Sequence, residues 1–135
     1  MPLNNAVPAR NDLYQNVQTL AKKITFADFG SVITVGKIPA GASVIGGGVH
    51  ITTAFNSSGT DLLDVGFIGA TTDDDAYATD LTLAAVGFIA FDELAATTNI
   101  QGAVEHTVTC TPAQSVADAT AGVAWVIVQF VATLN

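Results

Sequence analysis

Hydrophobic and polar positions alternate with a period of two over most of the chain from Ala21 onward, and a period of two is the signature of a half-buried strand. The clearest case is Ala103 to Thr111. Val104, His106, Val108 and Cys110 fall on one side, and Glu105, Thr107, Thr109 and Thr111 on the other. Ile24 and Phe26, then Ser31 to Ile38, alternate in the same way. Ser43 to Phe55 places Ile45, Val49, Ile51 and Phe55 on one face, and its Gly46-Gly47-Gly48 run points to a bulge or a close backbone approach. Asp61 to Ile68 and Leu81 to Phe91 supply further strands. Pro39 to Ala42 and Asn56 to Gly59 carry turn residues. Gly69 to Thr79 reads as a polar loop in which Asp75 caps a helical turn through Tyr77.

The last segment, Ala121 to Leu134, differs from the rest. Val123, Trp125, Ile127 and Val131 lie on one side, and Val126, Val128, Phe130 and Leu134 on the other. A strand that is apolar on both faces is covered on both. In a sandwich the second cover is another subunit, so Trp125, Ile127 and Phe130 are the expected packing residues of an oligomer. Residues 1–23 lack this order. They predict an N-terminal arm, extended or with a short helical turn carrying Leu13, Val17 and Leu20, followed by a β domain over 24–135. About seven to eight strands and no sustained helical period give an all-β, antiparallel sandwich or jelly roll.

Composition sharpens this picture. Half of the 135 residues are hydrophobic and only 12% are charged, against roughly a quarter in an ordinary domain. So little polar material leaves apolar surface that needs a partner. The charge is also uneven. Arg10, Lys22, Lys23 and Lys37 are the four cations, and none lies after Lys37. The strongly acidic remainder would repel phosphate, which argues against a nucleic-acid partner. An acidic body with a basic arm makes Arg10, Tyr14, Lys22 and Lys23 the candidate contacts to a neighbouring subunit or shell. No leader-like segment opens the sequence, and the final apolar run is shorter than a bilayer span, so the expectation is a protein made in the cytoplasm with no membrane partner.

Candidate chemistry is thin. Cys110 is the only cysteine, which removes intrachain disulfides and thiolate metal sites. His50 and His106 are the only histidines, and neither stands in a metal-binding pattern. His106 and Cys110, four residues apart on one strand, are roughly 13 Å from each other and form no local dyad. Asp73, Asp74 and Asp75 offer hard oxygen ligands that could hold Ca²⁺, but without the spacing of a calcium loop. No cofactor is implied, and the expectation is a chain that is not an enzyme.

Three stretches carry a resemblance. Ile38 to Ile45 with Val49 to Asn56, Leu63 to Gly66 with Asp73 to Tyr77, and Thr120 to Val131 resemble recurrent patterns in virion structural proteins of tailed bacteriophages. The resemblance implies a small β-sandwich or jelly-roll protein of the particle. The role it implies is capsid decoration or cement: a homotrimer on the head surface, bound to the major capsid protein. Phe67-Ile68-Gly69 departs from the pattern, which is more polar there. The competing reading is a fibre or tail receptor-binding module for a surface glycan, with Tyr14, Tyr77 or Trp125 exposed in a concave site.

Overall fold

A computed structural model describes residues 16–94 and 104–132. Eight strands run in the order β1 (Val17–Thr25), β2 (Ile33–Ile38), β3 (Ser43–Thr53), β4 (Asp61–Ile68), β5 (Thr72–Thr82), β6 (Gly87–Ala90), β7 (His106–Gln114) and β8 (Val123–Val131). They form two antiparallel four-stranded sheets, β1-β8-β3-β6 and β2-β7-β4-β5. The pairing is that of one long hairpin rolled up: β1 meets β8, β2 meets β7, β3 meets β6 and β4 meets β5. This is the jelly-roll strand order. No helix among the described residues is long and apolar enough to cross a membrane.

The alternation read from the sequence builds the core. Ile24, Val44, Val49, Ile51, Val126, Val128 and Phe130 point inward from the first sheet. Ile38, Leu63, Val65, Phe67, Val108 and Cys110 meet them from the second. The end of the sandwich near Asn56 is tied by side chains. The Asn56 Oδ1 accepts the backbone N–H groups of Thr120 and Ala121, each at 2.9 Å, and the Asp118 carboxylate accepts that of Ser58 at 2.8 Å.

Four expectations are corrected. The arm does not extend to residue 23, because β1 starts at Val17 and pairs with β8 along its whole length; Lys22 stands opposite Val126 and Lys23 opposite Trp125. An edge strand with one buried residue, Ile24, has too little pattern to reveal itself. Residues 1–15 lie outside the described residues, and Arg10 and Tyr14 with them. The polar loop with its helical turn is instead strand β5, in which Ala76, Tyr77 and Ala78 are all buried. Ile45 leaves the face it shares in sequence with Val49, because a bulge between Val44 and Gly46 turns it outward. Finally, Phe130 is only 4% exposed and belongs to the core, not to an outer packing face with Trp125 and Ile127.

Candidate functional site

The two outer faces of the sandwich are chemically unlike. On the first sheet, β1, β3, β6 and β8 contain not one carboxylate; Lys23 and His50 share the outer side with Trp125, while Lys22 stands opposite buried Val126. On the second, β2, β4 and β5 present Asp64, Asp73, Asp74, Asp75 and Asp80 against Lys37, while Asp61 and His106 are buried. In a chain of net charge −8, a whole sheet without acids is a distinct surface.

Register fixes what that surface displays. One cross-strand row runs Lys23, Trp125, His50, Phe88, and the next runs Ala21, Ile127, Gly48, Ala90. Trp125 is 41% exposed and Phe88 61% exposed. Ile45 and Val17 extend the apolar area at its margin. The glycine run makes the row possible. A Cβ on Gly48 would stand 2.5 Å from the Phe88 ring, so glycine lets that ring lie flat across β3. Gly47 does the same inside, where a Cβ would collide with the Phe91 ring and the Ile127 carbonyl and φ is +144°. Among the described residues the ion pair is Lys37 with Glu105 at 3.4 Å, and Lys22 and Lys23 meet no carboxylate there.

The opposite face is acidic by construction. Asp64 points outward from β4, since Leu63 and Val65 on either side are buried. Between the pairs Val65–Ala78 and Phe67–Asp73, β5 carries extra residues and bulges. The bulge folds over β4: a Cβ on Gly66 would collide with the Asp73 carbonyl and the Asp74 backbone. Asp73, Asp74 and Asp75 are thereby held on the outside, with carboxylate oxygens within 4.8 Å of one another. The Asp80 N–H donates to the Asp64 carboxylate at 2.8 Å, and Asp80 adopts φ +54°. Burial raises the Asp64 pKa, the Asp80 N–H opposes this, and the charges of Asp80, Asp75 and Asp74 add to the rise. The Asp73 carboxyl is raised by burial and then by its hydrogen bond and repulsion with Asp75. The cluster is therefore a patch of mutually repelling acids.

The remaining candidate residues are structural in their placement. His106 is 7% exposed, stacks on Phe67 with ring centres 4.2 Å apart, and its Nδ1 has no hydrogen-bond partner. Burial lowers its pKa. His50 is on the outer face of the other sheet, so the two histidines are not brought together. Tyr77 is fully buried, with burial and the Asp73 charge raising its hydroxyl to about 12. Of the aromatics a glycan site would use, Trp125 is exposed, Tyr77 is not, and Tyr14 lies outside the described residues. Phe88 and Ile45 were not anticipated as surface residues. Phe88 sits in a run that reads as continuous apolar strand, and only the register of β6 against β3 reveals its side.

No protein-family model matches the chain, and no curated protein does. Solved structures do. A chain in the capsid asymmetric unit of cyanophage Pam1 matches with TM-score 0.62 and 22% identity, over 85% of this chain and 84% of that one. A chain in the acid-stable capsid structure of Helicobacter pylori bacteriophage KHP30 matches with TM-score 0.64 and 14% identity, over 84% and 86%. The likeness is one of fold. It extends along nearly the whole sandwich in both cases, so the rolled hairpin is shared as a unit.

Proposed function

We propose that this chain is a structural protein of a bacteriophage head, a decoration or cement protein that sits on the outer shell as a homotrimer and binds the major capsid protein. The observation that carries the reading is the acid-free apolar face, with Trp125 and Phe88 exposed and Ile127 half-buried, on an otherwise acidic jelly roll. Exposed aromatic and aliphatic side chains in a contiguous area mark a protein interface. The fold shared with chains of two phage capsids supports the same reading. It is a non-catalytic role, performed in the virion by a protein made in the host cytoplasm, with no nucleic-acid partner. The test is addition of purified protein to phage shells lacking it. Co-sedimentation with the shells, and a higher temperature for shell disruption, are the expected results. Failure to bind at micromolar concentration overturns the proposal.

A second reading, a receptor-binding module for a surface glycan, is favoured by the row Trp125, His50, Phe88, since sugar faces stack on exposed aromatics. It requires Trp125 fluorescence to change on titration with host surface polysaccharide. An unchanged spectrum removes it.

A further inference from the structure

Asp61 opens β4 on the inner side of its sheet, in phase with buried Leu63 and Val65, and is only 3% exposed. Its register partner on β7 is Gln114, which shares the inner side with Cys110 and Pro112. One Asp61 oxygen, Oδ2, accepts the Ser57 N–H at 3.1 Å. The other, Oδ1, is buried and accepts no hydrogen bond, and the same holds for the Gln114 Oε1. Directly opposed residues of an antiparallel pair have Cβ atoms about 5 Å apart, so two bare acceptor oxygens share one end of the sandwich. We propose that this end binds a Ca²⁺ ion, held by Asp61 Oδ1 and Gln114 Oε1. The inference concerns the single chain and does not rest on the shell role.

Three arguments select a cation. The first is the supply of donors. Every backbone N–H in the loop before Asp61 is committed: Ser57 to Asp61 Oδ2, Ser58 to the Asp118 carboxylate, Gly59 to the Ser57 hydroxyl oxygen and Thr60 to the Ser115 hydroxyl oxygen. None is left for Oδ1, and a buried carboxylate oxygen without a partner is costly. The second is charge. No Lys or Arg follows Lys37 in the chain, so β4, β7 and the loops beside them carry none, and Lys37 itself pairs with Glu105 at 3.4 Å. The third is the chemistry of the ligands. A carboxylate and an amide oxygen are hard donors of the kind Ca²⁺ takes in an irregular shell, whereas Mg²⁺ demands a strict octahedron and sheds its water reluctantly. Gln114 is half-buried at the end of its strand, so water completes the shell there. The frame is fixed in advance, because Asn56 ties the loop before Asp61 to Thr120 and Ala121. A single carboxylate among neutral oxygens places the dissociation constant at about 10⁻⁴–10⁻³ M, the weak class of calcium sites.

The experiment follows thermal unfolding of the full chain in chelator and in Ca²⁺, with calorimetry for stoichiometry. Wild type is compared with a chain carrying Asp73→Asn, Asp74→Asn and Asp75→Asn, which removes the exposed acids at the other end of β4. In both, about 10 mM Ca²⁺, ten times the weak end of that range, is expected to raise the melting temperature by about 6 °C. The chain lacking the three surface acids should bind one ion, and Mg²⁺ or Na⁺ at the same concentration should do less. Asp61→Asn keeps an oxygen for the Ser57 N–H and gains an amide N–H for Gln114 Oε1. It should be no less stable than wild type in chelator and should lose the calcium response. Gln114→Glu adds a second carboxylate, so it should melt below wild type in chelator and bind Ca²⁺ at least tenfold more tightly. No rise in wild type overturns the proposal and means that Gln114 turns its amide nitrogen toward Asp61. A response kept by Asp61→Asn, one lost with the three surface acids, or one matched by Mg²⁺ overturns it as well. If Asp61→Asn does not fold, Gln114→Glu decides alone, and calcium binding no tighter than wild type refutes the site.

Discussion

Strand β8 can be turned into a test of the whole arrangement, because neighbouring positions on it face different worlds. Phe130 points into the core at 4% exposure, while Trp125 stands outside at 41%. Phe130→Ala removes most of a buried aromatic ring and leaves a cavity. Such truncations cost about 3–5 kcal/mol, a large part of the 5–15 kcal/mol that holds a domain together. Trp125→Thr places a strand-favouring β-branched residue on the sheet and gives up cross-strand contact with Lys23 and His50, worth roughly 0.2–1 kcal/mol in the single subunit. For a domain of this length 1 kcal/mol moves the melting temperature by about 4 °C. The expected drops are therefore on the order of 12–20 °C for Phe130→Ala and at most about 4 °C for Trp125→Thr. Urea unfolding across a range of protein concentrations separates the two contributions. The Trp125 variant should lose the concentration dependence that association gives to wild type, and the Phe130 variant should lose midpoint. If Phe130→Ala unfolds like wild type while Trp125→Thr collapses, the strand is turned the other way round and the apolar outer face does not exist.

Three further outcomes follow from the same geometry. His106 is buried with its pKa lowered from 6.5 by desolvation, so the unfolded chain takes up the proton first. Stability should be full above about pH 6.5 and decline below it, and His106→Phe should flatten that decline. Urea midpoints between about pH 5 and 7.5 check this, and comparison with His106→Phe separates the histidine from the raised Asp64 and Asp73 carboxyls, which act in the opposite direction as pH falls. A slope unchanged in the variant refutes it. Cys110 has its thiol pushed up to about 12, by burial and the Asp28 charge, with Lys22 opposing. It should resist a thiol reagent in the native state and react fully in denaturant; rapid native labelling would contradict the burial. Gly48→Ala places a methyl group against the Phe88 ring and the Ile89 carbonyl and should cost about 1–3 kcal/mol through strain where β6 meets β3. A stability within 0.5 kcal/mol of wild type, measured by urea unfolding, would show that β6 yields freely.

Where the chain alternates cleanly, its sequence is enough to place a strand and its buried side. β7 and β8 are legible for this reason over His106 to Thr111 and Val123 to Val131, where one face of each meets the same core; Val104, read onto that face, precedes β7 and is exposed, and Thr109, read onto the other, is buried. The failures have a common cause. β1 is an edge strand with little burial, so Lys22 and Lys23 read as an arm. β5 begins with three aspartates, which have poor strand propensity, and their bulge breaks the period before Ala76 to Ala78 can restore it. Ile45 changes face at a bulge, and a bulge shifts phase by a residue without changing composition. In each case a tertiary pairing decides the side of the sheet, and no local pattern records that pairing.

The same limit explains why the separation of charge was visible only in part. Counted along the chain, the cations are N-terminal and the rest is acidic, which points to an arm reaching outward from an acidic body. Rolling the hairpin redistributes those residues. It carries β3, β6 and β8, which have no acid, to lie beside the lysines of β1, and gathers β4 and β5 with their aspartates on the other sheet. A linear gradient of charge thus becomes a difference between two opposed faces. An arm would reach any acidic surface. Two opposed faces constrain direction as well, because an apolar partner and a cationic one would each meet only one side of the sandwich. Lys23 therefore stands on the acid-free sheet beside Trp125, and the acids of β5 stand on the sheet behind it.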